Sequence, residues 1–133
     1  MGVERVIDGV HIVPMGMANA YLIEDDDGLT LIDAGFPGKE SAVFDAIRGL
    51  GRSPDQLKHL VFTHAHPDHI GSAAAIVRET GARTYMHPLD IPIAESGGPF
   101  RPMTRHLVSW GEFCATCSAI PTSDWTRLPS TSL

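Results

Sequence analysis

The order of strand-like and helix-like segments predicts a mixed α/β layer fold. Three observations carry that expectation. Short apolar runs rich in β-branched and aromatic residues recur at residues 10–13, 20–24, 29–32, 59–63 and 83–86. Two intervening stretches place apolar residues at i, i+3, i+4 and i+7. Glycine, proline and aspartate punctuate the boundaries.

The elements follow in order. Residues 10–13 and 20–24 read as strands. Asp25-Asp26-Asp27-Gly28 reads as a turn, because aspartate tolerates tight turns and glycine supplies positive φ. Residues 29–32 are then the returning strand of a hairpin. Residues 34–38, Ala-Gly-Phe-Pro-Gly, read as a loop. From about Glu40, Val43, Ala46, Ile47 and Leu50 form a helical stripe, and Gly51 stands where a C-terminal cap would. Ser53-Pro54 announces a helical turn over residues 55–57. Residues 59–63 read as a buried strand. Ile70, Ala73, Ala74 and Val77 form a second helical stripe that Gly81 ends. Residues 83–86 read as a further strand, and Pro88 opens a short helix to about Glu95, closed by Gly97-Gly98-Pro99.

The chain has 133 residues, 43% of them hydrophobic and 20% charged. That suits one soluble globular domain rather than a disordered chain. Residues 1–98 carry the periodic pattern. Residues 99–133 lose it, and from about residue 104 the tail reads as loop-rich. Ten basic and sixteen acidic residues leave a net charge of −6, which offers no footprint for nucleic acid or for an anionic membrane. No apolar run approaches a membrane span, and no basic-then-apolar leader opens the chain, so a cytoplasmic location is expected. Two cysteines are too few for a disulfide scaffold.

The chemistry concentrates in Thr63-His64-Ala65-His66-Pro67-Asp68-His69-Ile70-Gly71, at a strand end just before a helix. In an extended loop, residues i and i+2 point the same way, so His64 and His66 can grip one ion. Pro67 redirects the chain, and Asp68 and His69 then face a second position. Imidazole nitrogen and carboxylate oxygen suit Zn²⁺, and Fe or Mn when oxygen donors are added. Two such ions can hold a hydroxide between them and polarise a substrate. One lone histidine would read as an ordinary polar residue; four ligands at this spacing do not.

His64-x-His66-x-Asp68-His69 resembles the HxHxDH signature of the metallo-β-lactamase-fold superfamily. Leu31-Ile32-Asp33-Ala34-Gly35 resembles its strand-end motif, and Leu60-Val61-Phe62-Thr63 the strand leading into the metal loop. The resemblance covers about residues 4–98. It implies the ββα half of an αββα sandwich, a mixed sheet with helices on one face. It implies a metal-dependent hydrolase that uses a metal-bound hydroxide on a small-molecule ester-type substrate: a carboxylic ester, thioester, lactone, β-lactam or phosphoester. His64, His66, Asp68 and His69 would bind one or two zinc ions. Asp68 would also orient the nucleophile, and Asp33 would orient a histidine ligand. An open site would turn over activated esters, phosphotriesters included, without much selectivity.

The chain departs from that family after His69. A complete domain supplies further histidine ligands and a bridging aspartate from its second half. Here the later histidines are His87 and His106, neither in a matching context. A half-sandwich exposes an apolar sheet face, which a homodimer would cover. Cys114-Ala115-Thr116-Cys117 reads as two incidental thiols before a zinc half-site or redox pair, and His106 as a lesser candidate for a third ligand. Phe100, Trp110, Phe113 and Trp125 read as cover for apolar surface, Arg101 and Arg105 as solvent-facing. Asp8, Glu24 and Asp25–Asp27 read as solvated turn charges. Met15-Gly16-Met17 reads as packing or as a substrate contact. A catalytically silent metal-binding or dimerisation module is the alternative function, and a redox protein holding two irons a third.

Overall fold

A single seven-stranded sheet runs in sequence order from one edge to the other. The structure is a computed structural model that describes residues 2–96 and the backbone of residues 125–127. Strands β1 (Glu4–Ile7), β2 (Val10–Pro14), β3 (Asn19–Asp25) and β4 (Gly28–Ile32) form an antiparallel meander. Asp25 makes the last turn: its Oδ1 accepts from the backbone N–H of Asp27 at 2.8 Å and of Gly28 at 3.1 Å. From β4 onward the sheet is parallel, through β5 (Leu57–Val61), β6 (Arg83–Met86) and β7 (Trp125–Arg127).

Parallel neighbours need crossovers, and helices supply them. Helix α1 (Glu40–Gly49) and a 3₁₀ turn (Pro54–Gln56) join β4 to β5. Helices α2 (Pro67–Ile70) and α3 (Ala73–Thr80) join β5 to β6, and α4 (Ile91–Ser96) follows β6. The pairing register sorts side chains by face. His11, Leu22, Leu31, Leu60 and Thr84 lie in one row across five strands, all buried. Val43, Ala46 and Ile47 of α1, Ala73 and Ile76 of α3, and Ile91 and Ala94 of α4 complete this core. The neighbouring row, Ile12, Tyr21, Ile32, Val61 and Tyr85, faces the other way and is only partly buried.

The expected α/β class and every expected strand are present. One helix differs. The stripe from Ile70 to Val77 is two helices, because residues 71 and 72 are spent on another contact. A Cβ on Gly71 would lie 2.3 Å from the Pro37 backbone nitrogen. Ser72 Oγ donates to the Phe36 carbonyl at 2.5 Å and accepts from the Lys39 N–H at 2.8 Å. Two strands were not anticipated. β1 is exposed along its length and shows no alternation. β7 lies in the tail expected to be loop-rich, yet its backbone pairs with β6, Tyr85 opposite Thr126. The glycine-proline stop at residues 97–99 lies outside the described residues. No helix among the described residues is long and apolar enough to cross a membrane.

Glu24 is not a solvated turn charge. Its Oε1 lies 2.7 Å from Nε2 of buried His11, and Arg52 donates through Nε and Nη2 to Oε2 at 3.3 Å each. The cluster ties the hairpin to the segment after α1. The His11 hydrogen bond, with help from Arg52, holds the Glu24 carboxyl below the usual glutamate range. A depressed carboxylate contributes stability above its unfolded pKa of 4.5 and loses it as pH falls through the lower folded value. Glu24→Gln should therefore cost on the order of 1 kcal/mol at neutral pH. In urea titrations, the gap from the wild type should close on acidification below about pH 4.5.

Candidate metal centre

The site begins where β4 ends. Asp33 has φ of 62°, the one non-glycine residue with positive φ among the described residues. Aspartate tolerates this left-handed backbone better than most residues. The turn is clasped from both sides. The Asp33 N–H donates to the Val61 carbonyl at 2.9 Å, the Ala34 N–H to His69 at 2.7 Å, and the Gly71 N–H to Gly35 at 2.9 Å. Gly35 has φ of 68°, the left-handed region that favours glycine, and it packs closely on Met15. Met15 is thus packing, whereas Met17 is 91% exposed.

The buried Asp33 carboxylate organises the loop after β5. Its Oδ1 accepts from the Thr63 N–H at 2.9 Å, and the Thr63 hydroxyl lies 2.9 Å from Oδ2. His69 Nδ1 lies 2.8 Å from the same Oδ2. His69 therefore carries its proton on Nδ1 and presents Nε2 to the site. With its own proton turned to Asp33, the Thr63 oxygen accepts from His64 Nδ1 at 3.0 Å, which leaves His64 Nε2 free as well. These tautomers follow from the hydrogen-bond network.

The ligand candidates converge. Donor atoms of His64, Asp68 and His69 all lie within 4.8 Å of one another. The His64 and His69 rings are 4.0 Å apart, and the His66 ring meets His64 edge-on at 4.5 Å. His66 is the N-cap of α2, in extended backbone, and the turn at Pro67 carries Asp68 and His69 round beside it. The convergent trio thus pairs His64 with Asp68 and His69, while His66 stands alongside.

Burial and the like charges of His69 and His66 push the His64 imidazole below its usual range. The hydrogen bond to Asp33 pushes His69 above it, against burial. Among the described residues, two buried side-chain atoms have no hydrogen-bond partner: His66 Nδ1 and Asp68 Oδ1. Leaving such atoms unmet costs about 1–3 kcal/mol each. Asp68 belongs to the convergent trio and His66 stands beside it, so a divalent cation fits this donor set.

The other described histidines are engaged elsewhere. His11 pairs with Glu24, His59 with the Tyr85 hydroxyl at 3.0 Å, and His87 Nδ1 accepts from the Leu89 N–H at 3.2 Å. His106, Cys114, Cys117, Phe100, Arg101, Arg105, Trp110 and Phe113 lie outside the described residues. Two contributors were not legible in the sequence. Thr63 links Asp33 to His64, and Asp90 reaches the loop from α4, its Oδ2 accepting from the Ala65 N–H at 3.0 Å. A polar residue at the start of a helix reads as a cap, so nothing local marks Asp90.

A mixed sheet with a histidine and aspartate cluster beyond its parallel-strand ends defines an α/β fold with a candidate metal centre at the usual binding edge. The family description "Metallo-beta-lactamase superfamily" matches residues 13–121, and the chain belongs to that superfamily. It is 31% identical over 103 residues to the probable metallo-hydrolase YflN of Bacillus subtilis, covering 73% of this chain and 39% of that protein. It is 34% identical over 65 residues to a hydroxyacylglutathione hydrolase of Albidiferax ferrireducens, covering 49% of this chain and 23% of that one. Among solved structures, BJP-1, a subclass B3 metallo-beta-lactamase of Bradyrhizobium japonicum, superposes with a TM-score of 0.67 at 34% identity. The match covers 71% of this chain and 36% of BJP-1. The chain thus spans well under half the length of these relatives.

Asp33→Asn keeps the shape but removes the charge that aligns His69. It should lower divalent-metal affinity by about 10–100-fold, read by competition with a chromogenic chelator. Unchanged affinity would show that His69 needs no such alignment.

Proposed function

We propose that the chain is the metal-binding half of a hydrolase that cleaves an ester-type bond in a small molecule. The observation that supports this most is the convergence of His64, Asp68 and His69, with buried, unpartnered side-chain atoms on Asp68 and on the neighbouring His66. His64, His66, Asp68 and His69 would hold the metal, with zinc the best match to nitrogen and carboxylate donors. A divalent ion bound there supplies Lewis acidity and lowers the pKa of a water. The chain's own residues do the rest. Asp33 and Thr63 keep the Nε2 atoms of His69 and His64 aimed inward. Burial disfavours the charged form of the His64 imidazole. Asp68 sets one oxygen 3.3 Å from His69 Nε2 and keeps the other for the ion or the attacking water.

Carboxylic ester, thioester, lactone, β-lactam and phosphoester substrates all suit this chemistry. The relatives' names span more than one of these uses, so a panel of activated esters is the proper assay. Turnover should vanish on chelation and return with zinc, and His66→Ala should reduce it to the level of free zinc ion. Persistence of full turnover in His66→Ala would sink the reading.

A second reading is a metal-binding module without turnover. Among the described residues, His64, His66, Asp68 and His69 would provide two ligands per ion for two ions, where catalytic zinc has three and a water. Metal-dependent thermal stability without turnover would select it. Self-association bears on both readings. The row Ile12, Tyr21, Ile32, Val61 and Tyr85 presents an apolar face on the side of the sheet away from the helices. We propose a homodimer that covers this face with a second copy. Native mass should be twice the chain mass, and Val61→Glu should shift it to the monomer. A monomeric wild type would remove the dimer and leave the metal site to be judged separately.

A further inference from the structure

We propose that Asp90 is a positioning residue for the metal loop, holding the peptide that links His64 to Ala65 and so setting the two histidines that flank it. This rests on the metal-binding reading above. Asp90 is 6% exposed, and a buried carboxylate needs donors. Its backbone starts α4, the carbonyl accepting from the N–H groups of Ile93 and Ala94 at 3.1 Å each. Its side chain turns away from that role. Oδ2 reaches back 25 positions to the Ala65 N–H at 3.0 Å, in a buried environment.

The position of that bond explains its use. The β5–β6 pairing continues one step past β5, with the Phe62 N–H donating to the carbonyl of Tyr85 in β6 at 3.0 Å. Beyond it the chain after β6 turns off, closing through the Asp90 N–H and the His87 carbonyl at 2.9 Å. The loop after β5 therefore leaves the reach of the β6 backbone just as it enters the metal motif. The Asp90 carboxylate gives the Ala65 N–H an acceptor at that point. A charged acceptor makes a bond roughly twice as strong as a neutral one. Ala65 is itself 3% exposed, so its N–H has no water to fall back on. The Ala65 N–H belongs to the peptide that joins residues 64 and 65, so holding it bears on the angle between the side chains of residues 64 and 66. The outcome is the edge-on meeting of the two rings at 4.5 Å. Asp33 aligns the loop from the β4 side through Thr63 and His69, and Asp90 reaches it from the β6 side through the Ala65 backbone N–H.

The test compares Asp90→Ala with Asp90→Asn in the full chain, using cobalt(II) as the probe. The amide oxygen of asparagine can still accept the Ala65 N–H, and alanine cannot. Asp90→Ala should lower cobalt affinity by about 10–100-fold and alter the visible cobalt spectrum, while Asp90→Asn stays near wild type. Ile91→Ala, which loosens the same helix without touching the bond, should leave cobalt affinity unchanged. Hydrogen exchange at the Ala65 amide should be slow in the wild type and in Asp90→Asn, and fast in Asp90→Ala. Wild-type cobalt affinity in Asp90→Ala would overturn the proposal. So would an Asp90→Asn as impaired as Asp90→Ala, or an unprotected Ala65 amide in the wild type. If Asp90→Ala does not fold, exchange in the wild type and Asp90→Asn decides. If the wild type takes up no cobalt, the metal reading falls, and Ala65 exchange still judges the tether.

Discussion

The Asp33 carboxylate is the point on which the local architecture depends. It is buried at the end of β4, in a left-handed turn, and its donors are the Thr63 backbone, the Thr63 hydroxyl and His69. A buried charge is tolerable only when hydrogen-bonded or paired. Every partner described here comes from the metal loop or α2. The ordering of that loop and the burial of Asp33 are therefore one event. Neither is stable without the other, and the consequence is a pair of imidazoles with defined tautomers before any ion arrives.

The sheet explains why these groups meet. In the parallel segment, β4, β5 and β6 all point the same way, so Asp33, Thr63 and Asp90 all follow carboxyl ends at one edge. Open parallel sheets place binding sites at that edge, where loops leave strands that are already rigid. The antiparallel meander of β1 to β4 contributes no ligand. It buries Leu22 and Leu31 beside Leu60, which holds β4 in register with β5, and the cluster of His11, Glu24 and Arg52 ties it to the segment after α1. Slipping β4 by one residue would exchange its two faces and carry Asp33 away from Thr63.

Most of this was legible in the sequence because the signals are local. Helix stripes, the aspartate-glycine turn and the HxHxDH spacing each lie within about ten residues; the first helix stripe and the turn match the structure, and His64, Asp68 and His69 of the motif converge. The misreadings share a cause. Ile70 to Val77 read as one helix because the close contact of Gly71 with Pro37 lies 34 positions away. Glu24 read as a turn charge because His11 and Arg52 are remote in sequence. β1 and β7 escaped notice because an exposed or short edge strand owes its existence to its neighbour, not to its own pattern. Thr63 and Asp90 were invisible as site residues for the same reason: only the sheet brings their partners to them.

The split between local and remote signals has an energetic side. The ligand chemistry is written in six consecutive residues, but the bonds that orient it span 25 to 36 positions. Closing such loops costs entropy that rises only slowly with length, yet it is met only once β4, β5 and β6 have docked. Until then the four donors sit on a flexible segment whose rings point independently. Docking converts them into a preorganised set with two unmet ligand atoms, and those atoms make the folded sheet the better binder of a cation. By linkage, an ion that binds the docked form stabilises the docking itself. The metal loop and the parallel sheet are on this account two halves of one equilibrium, joined through Asp33 on one side and Asp90 on the other.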